Sequence, residues 1–551
     1  MGKFFGMISL AVFALLAFCV NDVQALPLQL KTEFHGRLQS TFVIRDIDGF
    51  QHGVLDECRA VQWRNELKFD VDVRPVYKMA HNFKLNKVHL TYRGAYDAIF
   101  DLTDRYDDVR EKSPDDFELG MDDLEYENDL REAFVEMSYE VCMETFILRL
   151  GRQFVQWGEA DGFNVVNVVN PQDNSCLMFF EMPDELATPL WMARLDYSRI
   201  AFGPFDSVSV ELVAVPDIRP HQFATLDEDM EAPYSFGFNY LKERDILYFH
   251  DLSKVLPKIG VNDIGSINEM ENLLGKVRPI FGNNDNRMKW KDDVPGSGFG
   301  NTEYGIKVQG TMGVFQGALY YFRSYQDDGA MDFTNFVADT TLTFRHPKQN
   351  MYGLSFNYFI SPLNLVLRGE GCMVDKVGVL DLTGVNGNIR GMLYRLGLPP
   401  AVSDLIPEGT RGYVMRKVYH SLIGIDKSFW IRWLNPIYMI NTSWQVYWKH
   451  IDDFSYDAHV RPFDEKNNFR ITGYFYTDYM NAKIHPEIFV MYDPEHAWMT
   501  MASVKYSRDG RLFYKLSQMS FWGSESATSA FTQPVDLRMT SELSFRVGYN
   551  W

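Results

Sequence analysis

Residues 537–551 read LRMTSELSFRVGYNW, a stretch in which apolar and polar side chains alternate almost without error. Leu537, Met539, Leu543, Phe545, Val547, Tyr549 and Trp551 share one face, interrupted only by Ser541. Arg538, Thr540, Glu542, Ser544, Arg546 and Asn550 share the other, with Gly548. Successive side chains of a strand point to opposite sides, so this is a strand with one oily and one wet face. The pattern recurs upstream. Val61, Trp63, Leu67, Phe69, Val71 and Val73 alternate with Gln62, Arg64, Glu66, Lys68, Asp70, Asp72 and Arg74. Phe34, Leu38, Phe42 and Ile44 repeat it near the start, and Val88, Leu90 and Tyr92 soon after. Phe469, Ile471, Phe475 and Tyr479, then Ala502, Val504 and Tyr506, repeat it late in the chain.

Alternation alone fits a soluble sandwich as well as a membrane barrel; what differs is whether the apolar face meets a second sheet or lipid. Three features favour the barrel. Many strands reach ten residues, and a tilted spanning strand needs about 9–11. The ending Phe545, Val547, Tyr549, Trp551 resembles the terminal signature by which outer-membrane barrels are recognised, which implies the barrel assembly machinery as a partner. Lys3 precedes an apolar run over residues 4–20, and Val23-Gln24-Ala25 suits a signal peptidase. The expectation is a signal peptide over 1–25, cleaved near Ala25, and export to the outer membrane of a Gram-negative bacterium. Cys19 leaves with the signal, since Phe18 is too bulky to precede a lipidated cysteine. An uncleaved anchor is disfavoured because the apolar run is short for a spanning helix.

The 551 residues carry a formal charge of −20, which excludes nucleic acid as a partner because nothing would neutralise its phosphates. Aromatic residues make up 15%, including 42 Phe and 29 Tyr, as girdles at two membrane interfaces require. Cys58, Cys142, Cys176 and Cys372 remain after cleavage, too scattered for a zinc site or haem attachment. One or two disulfides are compatible with an oxidising compartment, and their pairing is not readable. No G-x-S-x-G, H-E-x-x-H or phosphate-cradling glycine loop is present, so the chain is read as no enzyme, with no cofactor and no metal.

The expected fold is all-β: a single transmembrane antiparallel β-barrel over 26–551, about 18 strands (16–20), embedded in outer-membrane lipids. Tight links are expected at Phe202-Gly203-Pro204-Phe205, Gly310-Thr311-Met312-Gly313 and around Asp509-Gly510. Long insertions fall at about 100–130, 158–188, 218–300, 374–410 and 521–536. Ile264, Ile267, Met270, Leu274 and Val277 recur at helical spacing, and residues 388–405 read as short helices broken by Pro399-Pro400. Such partly helical loops either plug the lumen or form an external cap. Strand parity does not close between residues 325 and 410. Residues 101–130 are rich in acids, among them Asp104, Asp107, Asp115 and Asp122, and are read as a solvated loop in preference to a calcium site.

The segment Arg149-Leu-Gly-Arg-Gln-Phe-Val-Gln-Trp-Gly-Glu159, followed by Asn167, Asn170-Pro171 and Asp173, resembles the signature of the outer-membrane family grouped as domain of unknown function 1302. Leu367-Arg368-Gly369-Glu370 resembles a second element of that family, with His346-Pro347 before it. Arg149, Gly151 and Gln153 share one strand face and Arg152 falls on the other. An arginine in mid-membrane lipid costs about 2–4 kcal/mol, so Arg152 belongs near a rim or is turned inward by a bulge. Arg368 and Glu370 face the same way, into the lumen. Arg149, Arg152, Gln153, Trp157, Glu159, Asn170, Asp173, Arg368 and Glu370 are therefore read as a lumen network anchoring a folded-in loop, in preference to direct substrate contact. The resemblance implies a channel or transport component for hydrophobic or lipid-like molecules, in company with a resistance-nodulation-division transporter and a domain of unknown function 1329 protein. The alternatives are a non-conducting surface protein binding a partner or divalent ion, and an outer-membrane hydrolase.

Overall fold

The computed structural model describes residues 30–46, 58–75, 82–103, 125–161, 163–173, 183–222, 289–332, 334, 341–380, 413–454, 466–494, 497–523 and 542–551. The first strands are β1 (Leu30–Asp46), β2 (Cys58–Pro75), β3 (Phe83–Asp97), β4 (Tyr126–Val141), β5 (Glu144–Gln153), β6 (Leu190–Phe202) and β7 (Phe205–Val215). The middle of the chain supplies β8 (Lys289–Asp293), β9 (Glu303–Met312), β10 (Phe315–Tyr325), β11 (Ala330–Asp332), β12 (Thr341–Arg345), β13 (Lys348–Ile360) and β14 (Leu365–Leu380). The last are β15 (Tyr413–Phe429), β16 (Ile440–Ile451), β17 (Asn467–Tyr476), β18 (Ile484–Asp493), β19 (Ala497–Ser507), β20 (Leu512–Gly523) and β21 (Glu542–Asn550).

Among the described residues, eighteen of these strands form one antiparallel sheet in chain order, and β21 pairs back on β1 from Arg37↔Asn550 to Arg45↔Glu542. The sheet is a closed transmembrane barrel with no free edge, as lipid requires. Its two faces are inverted relative to a soluble protein. Phe34 is 65% exposed and Leu38, Trp63, Leu67, Phe69 and Leu90 are exposed with it, whereas Gln39, Thr41, Gln62, Arg64, Glu66 and Arg93 are buried on the lumen side. Links at 142–143, 203–204, 313–314, 361–364 and 508–511 are short and lie at one end, where the Trp551 N–H also donates to the Gly36 carbonyl at 3.0 Å. The strands joined by the longer connections leave and re-enter the wall at the other end, which also holds the short link between β18 and β19.

The parity break between 325 and 410 has two causes. The short β11 and β12 leave the wall and form a rim sheet with β8, in which β12 runs parallel to β8. In β14 the register with β15 shifts between Val374 and Val377, around Lys376 at φ 57°, so one bulge flips the alternation. Strand β14 therefore continues to Leu380, past the expected insertion start at 374, and β20 likewise runs to Gly523. The insertion expected from 158 begins earlier, since β5 ends at Gln153. Cys142 and Cys372 are free thiols, whereas the side chains of Cys58 and Cys176 lie outside the described residues. So do the expected signal peptide, the acidic residues 104–124, the helical stretches 264–277 and 388–405, and the outer half of the terminal pattern at Leu537 and Met539.

Candidate functional site in the lumen

Described residues of the link from β5 to β6 pack inside the barrel. Gly151, near the end of β5, has a φ of 136° that is open to glycine but strained for other residues. A Cβ there would also sit 2.1 Å from the Ala133 carbonyl oxygen. At this end of β5, where the register with β4 and β6 is unbroken, both Arg152 and Gln153 are buried, although strict alternation would place them on opposite faces. Arg152 pairs with Asp129 at 2.8 Å and donates to the Pro189 carbonyl at 3.1 Å, which removes its charge from lipid.

Two asparagines staple the incoming limb to the returning one. The Val155 N–H donates to Asn170 Oδ1 at 2.7 Å and the Trp157 N–H to Asn167 Oδ1 at 3.0 Å. Asn170 in turn donates to the Thr188 carbonyl at 2.9 Å. A two-residue step on an extended limb is thus matched by the three-residue spacing of the N-x-x-N pair. The Trp157 ring is buried against Tyr320 and Phe322, and its indole N–H donates to Glu211 at 2.6 Å. Glu211 is held by Arg194 at 2.8 Å, so a buried carboxylate has both a charge partner and a donor. Val155, Val165, Val166 and Val169 pack with Leu190, Met351 and Leu422 into an apolar cluster inside the barrel.

One end of the segment is anchored on β14 and β16. Glu370 accepts the Glu159 N–H, and Arg368 donates to the Glu159 carbonyl. Arg368 also pairs with Asp161 at 2.5 Å and with Asp426 at 2.7 Å. Asp161 takes further bonds from Ser443 at 2.8 Å and Gln445 at 2.7 Å. Phe163 stacks on Tyr447 at 5.2 Å, with the Arg470 guanidinium 5.0 Å from its ring.

The other end is anchored on β1 to β4. Glu185 pairs with Arg37 at 3.2 Å and Lys68 at 3.1 Å. Its carbonyl accepts from Arg93 at 3.3 Å and Arg131 at 3.1 Å, and Arg131 also reaches the Ala187 carbonyl at 2.6 Å. Burial works to raise the Glu185 pKa, but the Lys68 and Arg37 charges outweigh it and bring the carboxyl down to about 2. Residues at the start of the next insertion join in, since Gln172 N–H donates to His221 Nδ1 at 2.7 Å and Gln222 N–H to the Gln172 carbonyl at 2.9 Å.

The structure therefore brings Arg152, Gln153, Trp157, Asn170, Arg368 and Glu370 onto one segment and its seat. Arg149 lies apart on the wall, paired with Glu136 at 2.6 Å over the Phe134 ring. Glu159 takes part through its backbone while its side chain is exposed, and Asp161 provides the carboxylate for Arg368. The Asp173 N–H bonds the Leu186 carbonyl at 2.8 Å, closing the returning limb. Sequence reasoning missed Asp161, Glu185, Glu211, Asp426 and Arg131. No local motif marks them, because their partners lie on distant strands. Among the described residues no group of three or more His, Cys, Asp or Glu is placed to hold a metal ion.

The model of a protein of unknown function, DUF1302, matches residues 59–511. The chain belongs to the DUF1302 family. Solved structures similar to this DUF1302 barrel include Acinetobacter baumannii OccAB3, at a TM-score of 0.43 and 9% identity over 95% of this chain and 99% of that one. Pseudomonas aeruginosa OccK8 (OprE) gives 0.39 and 10% over 95% and 98%. Pseudomonas aeruginosa OpdK with vanillate gives 0.41 and 7% over the same shares. No curated protein matches the DUF1302 chain.

Proposed function

We propose that this barrel is a passage across the outer membrane, narrowed by residues 154–161, 163–173 and 183–189 inside its lumen. The observation behind this reading is the double anchorage of that segment, with Asp161 bound to β14 and β16 and Glu185 to β1 and β2. A segment tied to separate sectors of the wall crosses the space a solute would use. Its ties are largely ion pairs and hydrogen bonds facing a polar lumen, and part-exposed pairs hold weakly enough to exchange. The proposal assigns the barrel no catalytic step. Family membership extends it to hydrophobic or lipid-like cargo and to the company of a resistance-nodulation-division transporter and a domain of unknown function 1329 protein. Co-purification from the native membrane checks those partners, and N-terminal sequencing of the mature chain checks cleavage near Ala25.

Single-channel recording in planar bilayers tests the passage. Steady conductance, raised by variants that detach the segment such as Asp161→Asn with Glu185→Gln, supports it. A barrel that stays silent in both forms is a non-conducting surface protein.

A further inference from the structure

The lumen wall concentrates positive charge in one sector of a chain whose net charge is −20. In register, Lys505 lies opposite Lys515 and Lys515 opposite Arg546, across β19, β20 and β21. Arg37 lies opposite Lys68 and Lys68 opposite Arg93, across β1, β2 and β3, with Arg131 following on β4. Seven consecutive strands thus each present a cation to the lumen. Like charges directly opposite one another destabilise a sheet, so such a row needs anions to persist.

The two halves of the sector are neutralised differently. On β19 to β21 the row has Glu487, 2.8 Å from Lys515, while Lys505 lies over the Phe513 ring and makes no ion pair among the described residues. On β1 to β4, Glu66 serves Arg37, and Glu127 serves Arg64 and Arg93. Asp129 and Asp97 on the wall lie near Arg131 and Arg64, and a further carboxylate, Glu185, comes from the lumen segment and not from the wall. Without it, Arg37 and Lys68 would lose the carboxylate that they share across the lumen face. The Glu185 side chain is 15% exposed, and Arg37 and Lys68 are about a quarter exposed, so the pair remains open to lumen water.

We propose that Arg37 and Lys68, flanked by Arg93 and Arg131 on the Glu185 main-chain carbonyl, form a carboxylate receptor whose resident occupant is the Glu185 side chain, and that a small organic carboxylate entering the lumen exchanges with that side chain and loosens residues 183–189 from the wall. This deepens the reading of the segment as the narrowing element and rests on it. The Lys505, Lys515, Arg546 row continues the same sector and draws anions toward the receptor along the wall. Arginine and lysine donors that take a glutamate side chain take a free carboxylate by the same charge-assisted bonds. The resident group competes, so the apparent affinity for an outside carboxylate is lowered by the fraction of time the receptor is closed.

The test is calorimetric titration of the detergent-solubilised full chain with benzoate, and with benzamide as the neutral shape match. Glu185→Gln removes the competing charge and is expected to bind benzoate at least about tenfold more tightly than the unaltered chain. Glu185→Asp, which keeps the charge, behaves as the unaltered chain. Adding Lys68→Gln to Glu185→Gln abolishes the gain, and benzamide binds none of them measurably. Retention of heat-modifiable gel migration shows that each variant is a closed barrel. Equal benzoate affinity with and without Glu185→Gln overturns the proposal. So does a gain that survives Lys68→Gln, or one that benzamide shares. None of these readouts needs current, so a conducting barrel can fail this test and a silent one can pass it.

Discussion

Replacing Arg368 by methionine isolates the contribution of one anchor. The guanidinium is 10% exposed and serves Asp161, Asp426, Ser443 and the Glu159 carbonyl together. Methionine keeps most of the length and none of the charge, leaving Asp161 and Asp426 as neighbouring carboxylates without their shared cation. Breaking a buried pair by removing one partner costs about 3–5 kcal/mol. Asp161 and Asp426 are 46% and 33% exposed, so both recover some hydration, and the lower end, about 3 kcal/mol, applies. That loss falls on the opening of the segment and not on the ladder of β14, whose bonds to β13 and β15 do not involve the side chain. Amide exchange at Glu159 and Asp161 should therefore accelerate by roughly 100-fold, since each 1.4 kcal/mol is a factor of about ten. Amides of β14 should keep their protection. Combining Arg368→Met with Asp161→Asn should cost less than the sum of the two, with a coupling between about 0.5 and 3 kcal/mol. Hydrogen–deuterium exchange read by mass spectrometry separates the outcomes. Unchanged exchange at Glu159 and Asp161, or a uniform rise across the whole barrel, would refute the assignment of Arg368 as a local anchor.

Gly151→Ala should destabilise the folded barrel by more than about 2 kcal/mol, from the φ of 136° and the contact with the Ala133 carbonyl together, read as a lower urea midpoint of the heat-modifiable band. Gly203→Ala, at φ 61° with open space around it, should cost only about 1 kcal/mol in the same assay. Glu185 is depressed to about 2, so its stabilisation is fully present above its ordinary value of 4.5 and is lost as pH falls from there through 2. The difference amounts to about 3 kcal/mol at most, and protease access to residues 183–189 should rise across that window but not in Glu185→Gln. His346 follows the opposite sign. Burial works to lower its pKa, but Asp292 at 2.5 Å and the Gln326 carbonyl at 2.6 Å raise it, with Asp328 adding charge and His221 nearby. Its contribution is present below 6.5 and is lost as pH rises through the raised value, so amides of β8 should exchange faster, beyond the intrinsic pH effect, in mildly alkaline buffer, and His346→Gln should remove that dependence.

The alternation was legible because lipid inverts the usual rule: Phe545 and Tyr549 are exposed and Glu542 and Ser544 buried, as their parity in the last strand requires. The position of Arg152 was half legible, since energetics allowed either a rim position or a bulge, and the unbroken register of β5 up to its end at Gln153 places it at the rim. Lys376 shows the opposite case, where an ordinary residue at positive φ carries a bulge that no turn-forming residue announces. The anchors were not legible at all. Arg37 and Glu185 are 148 positions apart and Arg368 and Asp161 are 207 apart, so their meeting depends on the register of many intervening strands. An overall charge of −20 also hid a sector of seven cations, because a sum over the chain cannot record which strands stand side by side.

These anchors differ in kind, and the difference sets the order in which the segment can move. Trp157 is buried among Tyr320, Phe322 and Glu211, a seat that combines apolar packing with a satisfied buried hydrogen bond. Burying a large aromatic contributes several kilocalories that do not depend on salt. Glu185 and Asp161 are held by charges part-open to lumen water, which salt screens and a competing anion can replace. High ionic strength should therefore loosen residues 159–161 and 183–189 while residues 155–157 stay protected, so the segment hinges about Trp157. If exchange at Val155 and Trp157 rose together with that at Glu185 under salt, the segment would be leaving as one body, and the division into a packed pivot and two electrostatic ends would be wrong.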